Sequence, residues 1–259
     1  MNPANVQIEL RKRRLDEIFD LALILLRRRP AIWKLFFPFF AVGMSFHLFW
    51  NYIWQDSEYF SAMSVFFLIL ISPLYVFGLT VTLGLALFEP TPAFRLFRQW
   101  IRTSTALFLM RFAFYRIFYI VFLPLLFPIY YLWYRDFFLA EVLLLEGQRG
   151  PALKDRLRIL SHHAQERITA FQFYHLLTFS LSLIALLLAS FLLQELFLGK
   201  SLTSQMTAFT APDFLAVVHA YMFFYSTTHF LFYIDTRSLI EGWDVQMMLS
   251  AASQNRAIT

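Results

Sequence analysis

The chain has 259 residues, of which 59% are hydrophobic and 33 are phenylalanine, and its formal net charge is +5. Soluble domains are nearer to about 45–50% apolar, and this chain contains several almost uncharged runs of about 20 residues, the length that crosses ~30 Å of hydrocarbon. We therefore expect a single integral membrane domain over residues 1–259. The absence of cysteine excludes disulfides, thiolate metal sites and cysteine nucleophiles. The basic excess indicates which loops are cytoplasmic, and it does not indicate a nucleic-acid partner.

The amino-terminal segment is predicted to form an amphipathic helix that lies in the membrane interface. Apolar residues recur at helical spacing over 15–29, acidic residues fall on the other side, and a basic run flanks each end. Pro30 marks the end of this helix. A first span follows over 32–54, and residues 55–58 contain no Lys or Arg, which indicates an external loop. The predicted apolar face consists of Leu15, Ile18, Phe19, Ala22, Leu25 and Leu26.

The middle of the chain is predicted to form a second span and then a helical hairpin. The second span covers 60–88 and ends at Glu89, and the basic stretch after it is expected in the cytoplasm. Residues 151–167 are again basic and are therefore expected in the cytoplasm too. The chain must then cross the membrane an even number of times between the basic stretch after Glu89 and residues 151–167. We expect two helices, 104–123 and 128–145, joined by a turn that contains two prolines. A re-entrant hairpin that does not cross fully is the alternative.

This hairpin carries charged residues at depths where an isolated charge is costly. Folding it about residue 126 brings Arg116 level with Asp136, and Arg111 level with Glu141, at ~1.5 Å per residue. We therefore predict the ion pairs Arg116–Asp136 and Arg111–Glu141. An intramembrane polar cluster is a functional-site hypothesis, and the structural alternative is that the pairs only hold the helices together. The cluster consists of Arg111, Arg116, Arg135, Asp136 and Glu141.

The last third of the chain is predicted to contain one more amphipathic segment and two spans. The amphipathic segment covers 152–168, the fifth span 171–198 and the sixth span 214–234, and the tail from Asp235 is expected in the cytoplasm. The total is six crossings with both termini inside. The apolar face of the amphipathic segment consists of Leu153, Leu157, Leu160, Ala164 and Ile168. Its basic residues are Lys154, Arg156, Arg158 and Arg167.

Acidic residues end three of the apolar runs, and a break in the helical pattern follows each of them. We name Glu89, Glu146 and Glu241 the Glu steps. We expect each to contact basic residues of a neighbouring helix or the positive end of that helix. Ligand binding is the alternative. The steps delimit a predicted repeat of three units, 11–90, 91–147 and 151–242.

Two segments carry a resemblance to a known group of proteins. The sequence EGQRGPAL at 146–153, with RLRIL at 156–160, resembles a motif of polytopic bacterial membrane proteins. The tail 233–244 is similar to the ending of that group, Tyr-x-Asp-x-Arg and then Glu-Gly-x-Asp. The group includes the membrane domain attached to some glycerophosphodiester phosphodiesterases and related six-span proteins of unknown function. The Phe-rich spans and Pro90 depart from its pattern. The tail positions that match are Asp235, Arg237, Glu241 and Asp244.

The resemblance implies a scaffold or accessory protein of the bacterial inner membrane. It does not imply phosphodiesterase activity, because we find no such catalytic domain in the sequence. The matching tail is either a docking motif for a cytoplasmic partner or a set of contacts in which Asp235 and Arg237 lock the sixth span.

Four histidines fall in three of the predicted spans, at positions 47, 175, 219 and 229. We expect hydrogen-bonded structural histidines there, with proton relay as the alternative. The exposed group His162, His163 and Glu166 has too few ligands for a metal site, and we expect no cofactor.

The sequence thus predicts an all-α membrane protein with six transmembrane helices and cytoplasmic amphipathic helices. No catalytic constellation is recognised, so we expect a non-enzymatic, multi-pass component of a membrane assembly, either a homo-oligomer or a complex with other membrane proteins. Its basic helices are expected to bind anionic lipid head groups. The alternative function is a transporter or lipid-translocating protein that uses the hairpin 104–145.

Overall fold

The computed structural model describes residues 13–28, 30–54, 64, 66–68, 79–80, 83–84, 134–198 and 212–242. Over these residues the chain forms helices and turns, without a strand, which confirms the all-α class for this part of the protein. The helices with described bounds are α1 (Leu15–Arg28), α2 (Pro30–Trp54), α3 (Leu139–Leu144), α4 (Gly150–His163), α5 (Gln165–Leu198) and α6 (Pro212–Glu241). The predicted helix 104–123 lies outside the described residues, as does most of the second span 60–88.

Helix α1 has the predicted amphipathic pattern, and its apolar face is buried in protein. Ile18 and Ala22 are fully buried, whereas Asp16 and Asp20 on the other side are exposed. The Phe19 ring lies 4.5 Å from the His175 ring on α5 and 5.7 Å from the Phe224 ring on α6, measured between ring centres. The face that the sequence analysis assigned to the membrane interface therefore packs on α5 and α6.

Helix α2 covers Pro30–Trp54, so it begins two residues before the predicted first span, 32–54, and ends where that span ends. Proline suits the first turn of a helix because the amide it lacks would have no intrahelical acceptor there. His47 is buried, but Phe37, Phe46 and Phe49 have about 60% of their surface exposed, at 61%, 59% and 61%. One face of α2 is therefore apolar and uncovered by the described protein.

The predicted helix 128–145 is interrupted, and this is a correction to the sequence analysis. Residues 136–138 form a turn, with bonds from the Phe137 amide to the Tyr134 carbonyl (3.4 Å) and from the Leu139 amide to the Asp136 carbonyl (3.0 Å). These bonds span three residues instead of four, so the turn is tighter than α-helix. Ser161 Oγ on α4 donates to the Arg135 carbonyl (3.2 Å) and satisfies an acceptor near the break.

The predicted amphipathic segment 152–168 is divided between two helices. Its whole apolar face is buried as predicted, since Leu153, Leu157, Leu160, Ala164 and Ile168 are at most 2% exposed. Helix α4 nevertheless ends at His163 and α5 begins at Gln165. The amide of Ala164 donates to the carbonyls of both Leu160 and Ser161, 3.2 Å each, which marks a tightened last turn.

Helices α5 and α6 form an antiparallel pair at the centre of the described structure. Arg167 contacts Asp235, Phe171 stacks on Phe232 with ring centres 4.7 Å apart, and residues further along α5 meet earlier residues of α6. The opposite face of α5 is apolar and exposed. Within the described residues, one helix is long and apolar enough to cross a membrane, over Gln165–Leu186 of α5. The six predicted crossings stay a prediction.

Helix α6 extends beyond the predicted sixth span. The predicted span ends at residue 234, but the helix continues to Glu241. Asp235 is only 1% exposed and is paired with Arg167, so its charge does not end the helix. Arg237 and Glu241 form an ion pair four residues apart, which supports the last turn.

Candidate functional site

Two of the three Glu steps meet in one ion-pair cluster, which we name the Glu-Arg cluster: Glu146, Arg156, Tyr233, Arg237 and Glu241. Arg156 Nε donates to Glu146 Oε2 at 2.7 Å and its Nη2 donates to Glu146 Oε1 at 3.1 Å. The same Nη2 contacts Glu241 Oε1. This forked geometry is the arrangement in which a guanidinium binds a carboxylate most strongly. The cluster joins the end of α3, the middle of α4 and the end of α6.

The second arginine of the Glu-Arg cluster completes its charge balance. Arg237 Nε donates to Glu241 Oε2 at 2.9 Å and lies 3.5 Å from Glu146 Oε1. Tyr233 donates its hydroxyl to Glu146 Oε1 at 2.6 Å and accepts from Arg237 Nη1 at 3.3 Å. Two guanidinium groups thus face two carboxylates, so the cluster has no net charge. Because Glu146 accepts from several donors, this geometry favours a structural role over ligand binding.

A glycine follows each of the two glutamates of the Glu-Arg cluster and determines where its carboxylate lies. Gly147 and Gly242 directly follow Glu146 and Glu241, and their φ angles are +67° and +60°. This left-handed conformation ends helices and is easy for glycine alone, because a side chain at Cβ would be strained there. The sequence signal Glu-Gly therefore encodes a helix end that holds its carboxylate at a fixed position. Glu89 lies outside the described residues.

Asp235 forms a second contact set, the Asp235 clamp, at the same end of α6. Its Oδ2 accepts from Arg167 Nη2 at 2.6 Å and its Oδ1 accepts from the backbone amide of Arg13 at 2.8 Å. Arg167 Nη2 also donates to the Arg13 carbonyl at 3.0 Å. One carboxylate therefore joins the beginning of α1, the first turn of α5 and α6. These contacts agree with the predicted alternative in which Asp235 locks the sixth span, rather than with docking of a cytoplasmic partner. Asp244 lies outside the described residues.

The predicted intramembrane cluster is only partly described. Asp136 pairs with its neighbour Arg135, with Nε and Oδ1 3.2 Å apart. Arg111 and Arg116 lie outside the described residues, so the two predicted hairpin ion pairs stay predictions. Among the described residues, Glu141 pairs with His229 on α6, whose Nδ1 lies 2.7 Å from Glu141 Oε1.

The other buried histidines have polar partners. His175 Nε2 lies 2.8 Å from Thr228 Oγ1, and its Nδ1 lies 2.8 Å from the Tyr221 hydroxyl. His47 Nε2 lies 2.8 Å from Ser64 Oγ, and its Nδ1 lies 3.2 Å from His219 Nε2. These are the hydrogen-bonded histidines that the sequence analysis favoured, and each joins two helical segments.

The sequence analysis did not single out the partners on which these contacts depend. Arg156 and Arg167 were predicted to contact lipid head groups with the other basic residues of their segment, and His229 was predicted only as one of several hydrogen-bonded histidines. One signal was present for the arginines. Both sit beside the apolar face of their amphipathic segment, where a long basic side chain reaches an adjacent helix. Comparison of the chain with family models, with curated proteins and with solved structures finds no match.

Proposed function

We propose that the protein is a non-enzymatic, multi-pass membrane component of a larger assembly, with a cytoplasmic helical layer that contacts anionic lipid. The observation that carries this proposal is the Glu-Arg cluster. Its two cations and two anions neutralise one another and join three helices, so these charges hold the protein together. A transported or reacting ligand would instead need charges that remain available.

The uncovered apolar surface supports the membrane location. Leu176, Leu181, Leu192 and Leu196 on α5 have between 59% and 76% of their surface exposed. Exposed apolar residues in a row along a long helix, together with those on α2, exceed what a soluble monomer presents to water. Lipid or another membrane protein would cover this surface.

The outer face of α4 supports the lipid contact. Lys154 and Arg158 are exposed, and neither forms an ion pair with another described residue. Ile159 beside them is 44% exposed, so basic and apolar side chains share this face. Arg156 and Arg167, the other two basic residues of the predicted segment, are used inside the protein. Of the four basic residues that were predicted to bind lipid head groups, two, Lys154 and Arg158, therefore remain available to do so.

Native mass spectrometry of the purified protein with mixed zwitterionic and anionic lipids tests this part of the proposal. Each basic residue near the surface contributes ~1 kcal/mol, so Lys154→Gln with Arg158→Gln should weaken anionic lipid binding roughly 30-fold. The control exchanges the same positions with charge kept, Lys154→Arg with Arg158→Lys, and should bind as the wild type does. Equal binding by both variants would contradict the lipid role.

The assembly is tested by solubilising native membranes in mild detergent and measuring the particle mass together with any copurifying protein. We expect a mass above that of one 30.7 kDa chain with its detergent, from further copies or from other membrane proteins. A lone monomer would contradict the proposal.

The alternative function, a transporter that uses the hairpin 104–145, has one supporting observation: a carboxylate at Glu141 that is fully buried in the apolar core. Transport requires water to reach the charged residues at some stage. Because the chain has no cysteine, Asp136→Cys gives one reporting thiol. Reaction of this thiol with a hydrophilic maleimide in intact membranes would favour transport, and protection would favour the scaffold.

A further inference from the structure

Glu141 occupies an unusual position for a carboxylate. It is 0% exposed, and its partner His229 is 6% exposed. Glu141 Oε1 lies 2.7 Å from His229 Nδ1, whereas Oε2 has no hydrogen-bond partner in the described part of the protein. Buried carboxylates normally have both oxygens engaged, since an unpaired buried charge is costly.

The surroundings of the pair are aromatic. The His229 ring lies 4.4 Å from the Phe137 ring, 6.0 Å from the Phe138 ring and 6.1 Å from the Phe171 ring, measured between centres. Such a shell keeps bulk water away from the carboxylate. The electrostatic state of the pair therefore depends on the groups that the neighbouring helices provide.

Within the described ranges, few titratable groups face this core. Helix α6 contributes His229 itself, and Tyr225 with its ring centre 5.6 Å from that of His229. Helix α5 contributes His175, whose ring centre is 4.7 Å from that of Tyr225. The neighbouring core residues of α1 and α4 are apolar, for example Ile18, Ala22, Leu157 and Leu160. Arg135 and Asp136, just before α3, pair with each other. Among described residues, the ion-pair partner of Glu141 is thus a histidine, whose charge depends on a proton.

Asp235 provides the comparison within the same chain. It is 1% exposed, so it is as deeply buried as Glu141, but a guanidinium and a backbone amide bind its two oxygens. Arginine stays charged in proteins, so Asp235 is matched by a permanent cation. Glu141 is matched by a side chain that carries a charge only after it takes up a proton.

We propose that Glu141 and His229 form a proton-binding site inside the helical core, a property that goes beyond the scaffold function. With a neutral imidazole and an ionised carboxylate the pair carries one negative charge. One added proton makes the pair neutral, whether it is held by the imidazole or by the carboxyl group. Glu141 Oε2, which has no hydrogen-bond partner among the described residues, can accept that proton while Oε1 keeps its hydrogen bond to His229.

Dicyclohexylcarbodiimide, an uncharged reagent that enters apolar regions, tests the proposal on the full-length protein in native membranes. The carboxyl proton moves to a nitrogen of the carbodiimide and the carboxylate oxygen adds to its central carbon. An acyl shift from oxygen to nitrogen then gives a stable N-acylurea that retains all atoms of both reactants. Peptide mass spectrometry locates the adduct. We expect it at Glu141 and not at Asp235, which serves as the equally buried internal control.

Two variants keep the test decisive. His229→Gln removes the imidazole but keeps a hydrogen-bond donor, and the modification of Glu141 should persist or increase. Absence of the adduct at Glu141 in both the wild type and this variant would overturn the proposal. Equal modification of Asp235 would also overturn it, because the reagent would then report burial alone. If Arg111 holds Glu141 as a permanent ion, the adduct will appear only in Arg111→Gln, and the proposal is wrong. These outcomes leave the scaffold proposal untouched.

Discussion

Replacement of Arg156 by glutamine removes the cation that joins the two Glu-Gly helix ends. The wild-type Glu-Arg cluster contains two cations and two anions. In Arg156→Gln, Arg237 alone faces Glu146 and Glu241, and the cluster carries one uncompensated negative charge. Glu146 is 7% exposed and Glu241 is 20% exposed on their side chains, so water screens this charge poorly.

Loss of one partner from a buried ion pair costs about 3–5 kcal/mol. The lower figure, about 3 kcal/mol, applies here because Arg237 stays in contact with both carboxylates and Arg156 is itself 21% exposed. For a chain of this size the loss corresponds to a midpoint of thermal unfolding lower by roughly 6–12 °C. Arg156→Gln combined with Glu146→Gln leaves a neutral Arg237–Glu241 pair, so we expect the double variant to lose less than Arg156→Gln alone.

The assay is thermal survival of the monodisperse protein in mild detergent, followed by size-exclusion chromatography. Arg158→Gln is the matched control, since Arg158 lies two residues further along α4, is exposed and has no ion pair in the described part of the protein. It should change stability by no more than about 0.5 kcal/mol. Equal losses in Arg156→Gln and Arg158→Gln would refute the reasoning, as would a double variant less stable than the single one.

Three further predictions follow from the same geometry. Asp235→Asn should lower the free energy of unfolding by about 3 kcal/mol and expose the amino-terminal arginines to trypsin, because Arg167 loses its anion. Cleavage at the wild-type rate would contradict the Asp235 clamp. The control is Asp155→Asn, at an exposed position. Gly147→Ala should lower the free energy of unfolding by about 1–2 kcal/mol, because a side chain is strained at the φ of +67° that this glycine adopts, and Gly147→Asn should lower it by less. Equal stability of the wild type and both variants would contradict this prediction. The chain has no cysteine, so single cysteines can report the topology. Asp155→Cys should react with an impermeant maleimide added on the cytoplasmic side, and Asp56→Cys should react with the reagent added outside. Labelling of both positions from the same side would contradict the predicted topology.

The faces of the amphipathic helices could be predicted because they depend on local periodicity. The apolar residues over 15–29 and 152–168 recur every three or four positions, and their spacing determines which of them share a face. The helix end at Trp54 was also predictable, and α3 ends at Leu144, one residue before the predicted 145, since acidic and glycine residues follow there. What covers each face was not predictable. The sequence assigned the face of α1 to lipid, and the structure covers it with α5 and α6.

The contacts of Glu141 and Asp235 could not be predicted, because they join residues far apart in the chain. A depth argument within one hairpin pairs Glu141 with Arg111, and this pair stays a prediction because Arg111 lies outside the described residues; His229, 88 positions after Glu141, lies beside it. Likewise, the predicted sixth span ends at residue 234, directly before Asp235. Arg167, 68 positions earlier, neutralises it and lets the helix continue. Local pattern identifies which residues are costly to bury, and only the tertiary structure identifies their partners.

The position of α1 has a consequence for how the protein is made. Its first contact with α6, from the Arg13 amide to Asp235, joins residues 222 positions apart. At about 5–20 residues per second, the ribosome needs roughly 10–45 s to synthesise the intervening chain. Throughout that interval α6 is absent, so the apolar face of α1 lacks one of the two helices that cover it, and the membrane surface is the place where such a helix can wait. We therefore expect the interfacial position predicted from the sequence to apply during biosynthesis and the packed position to apply at its end.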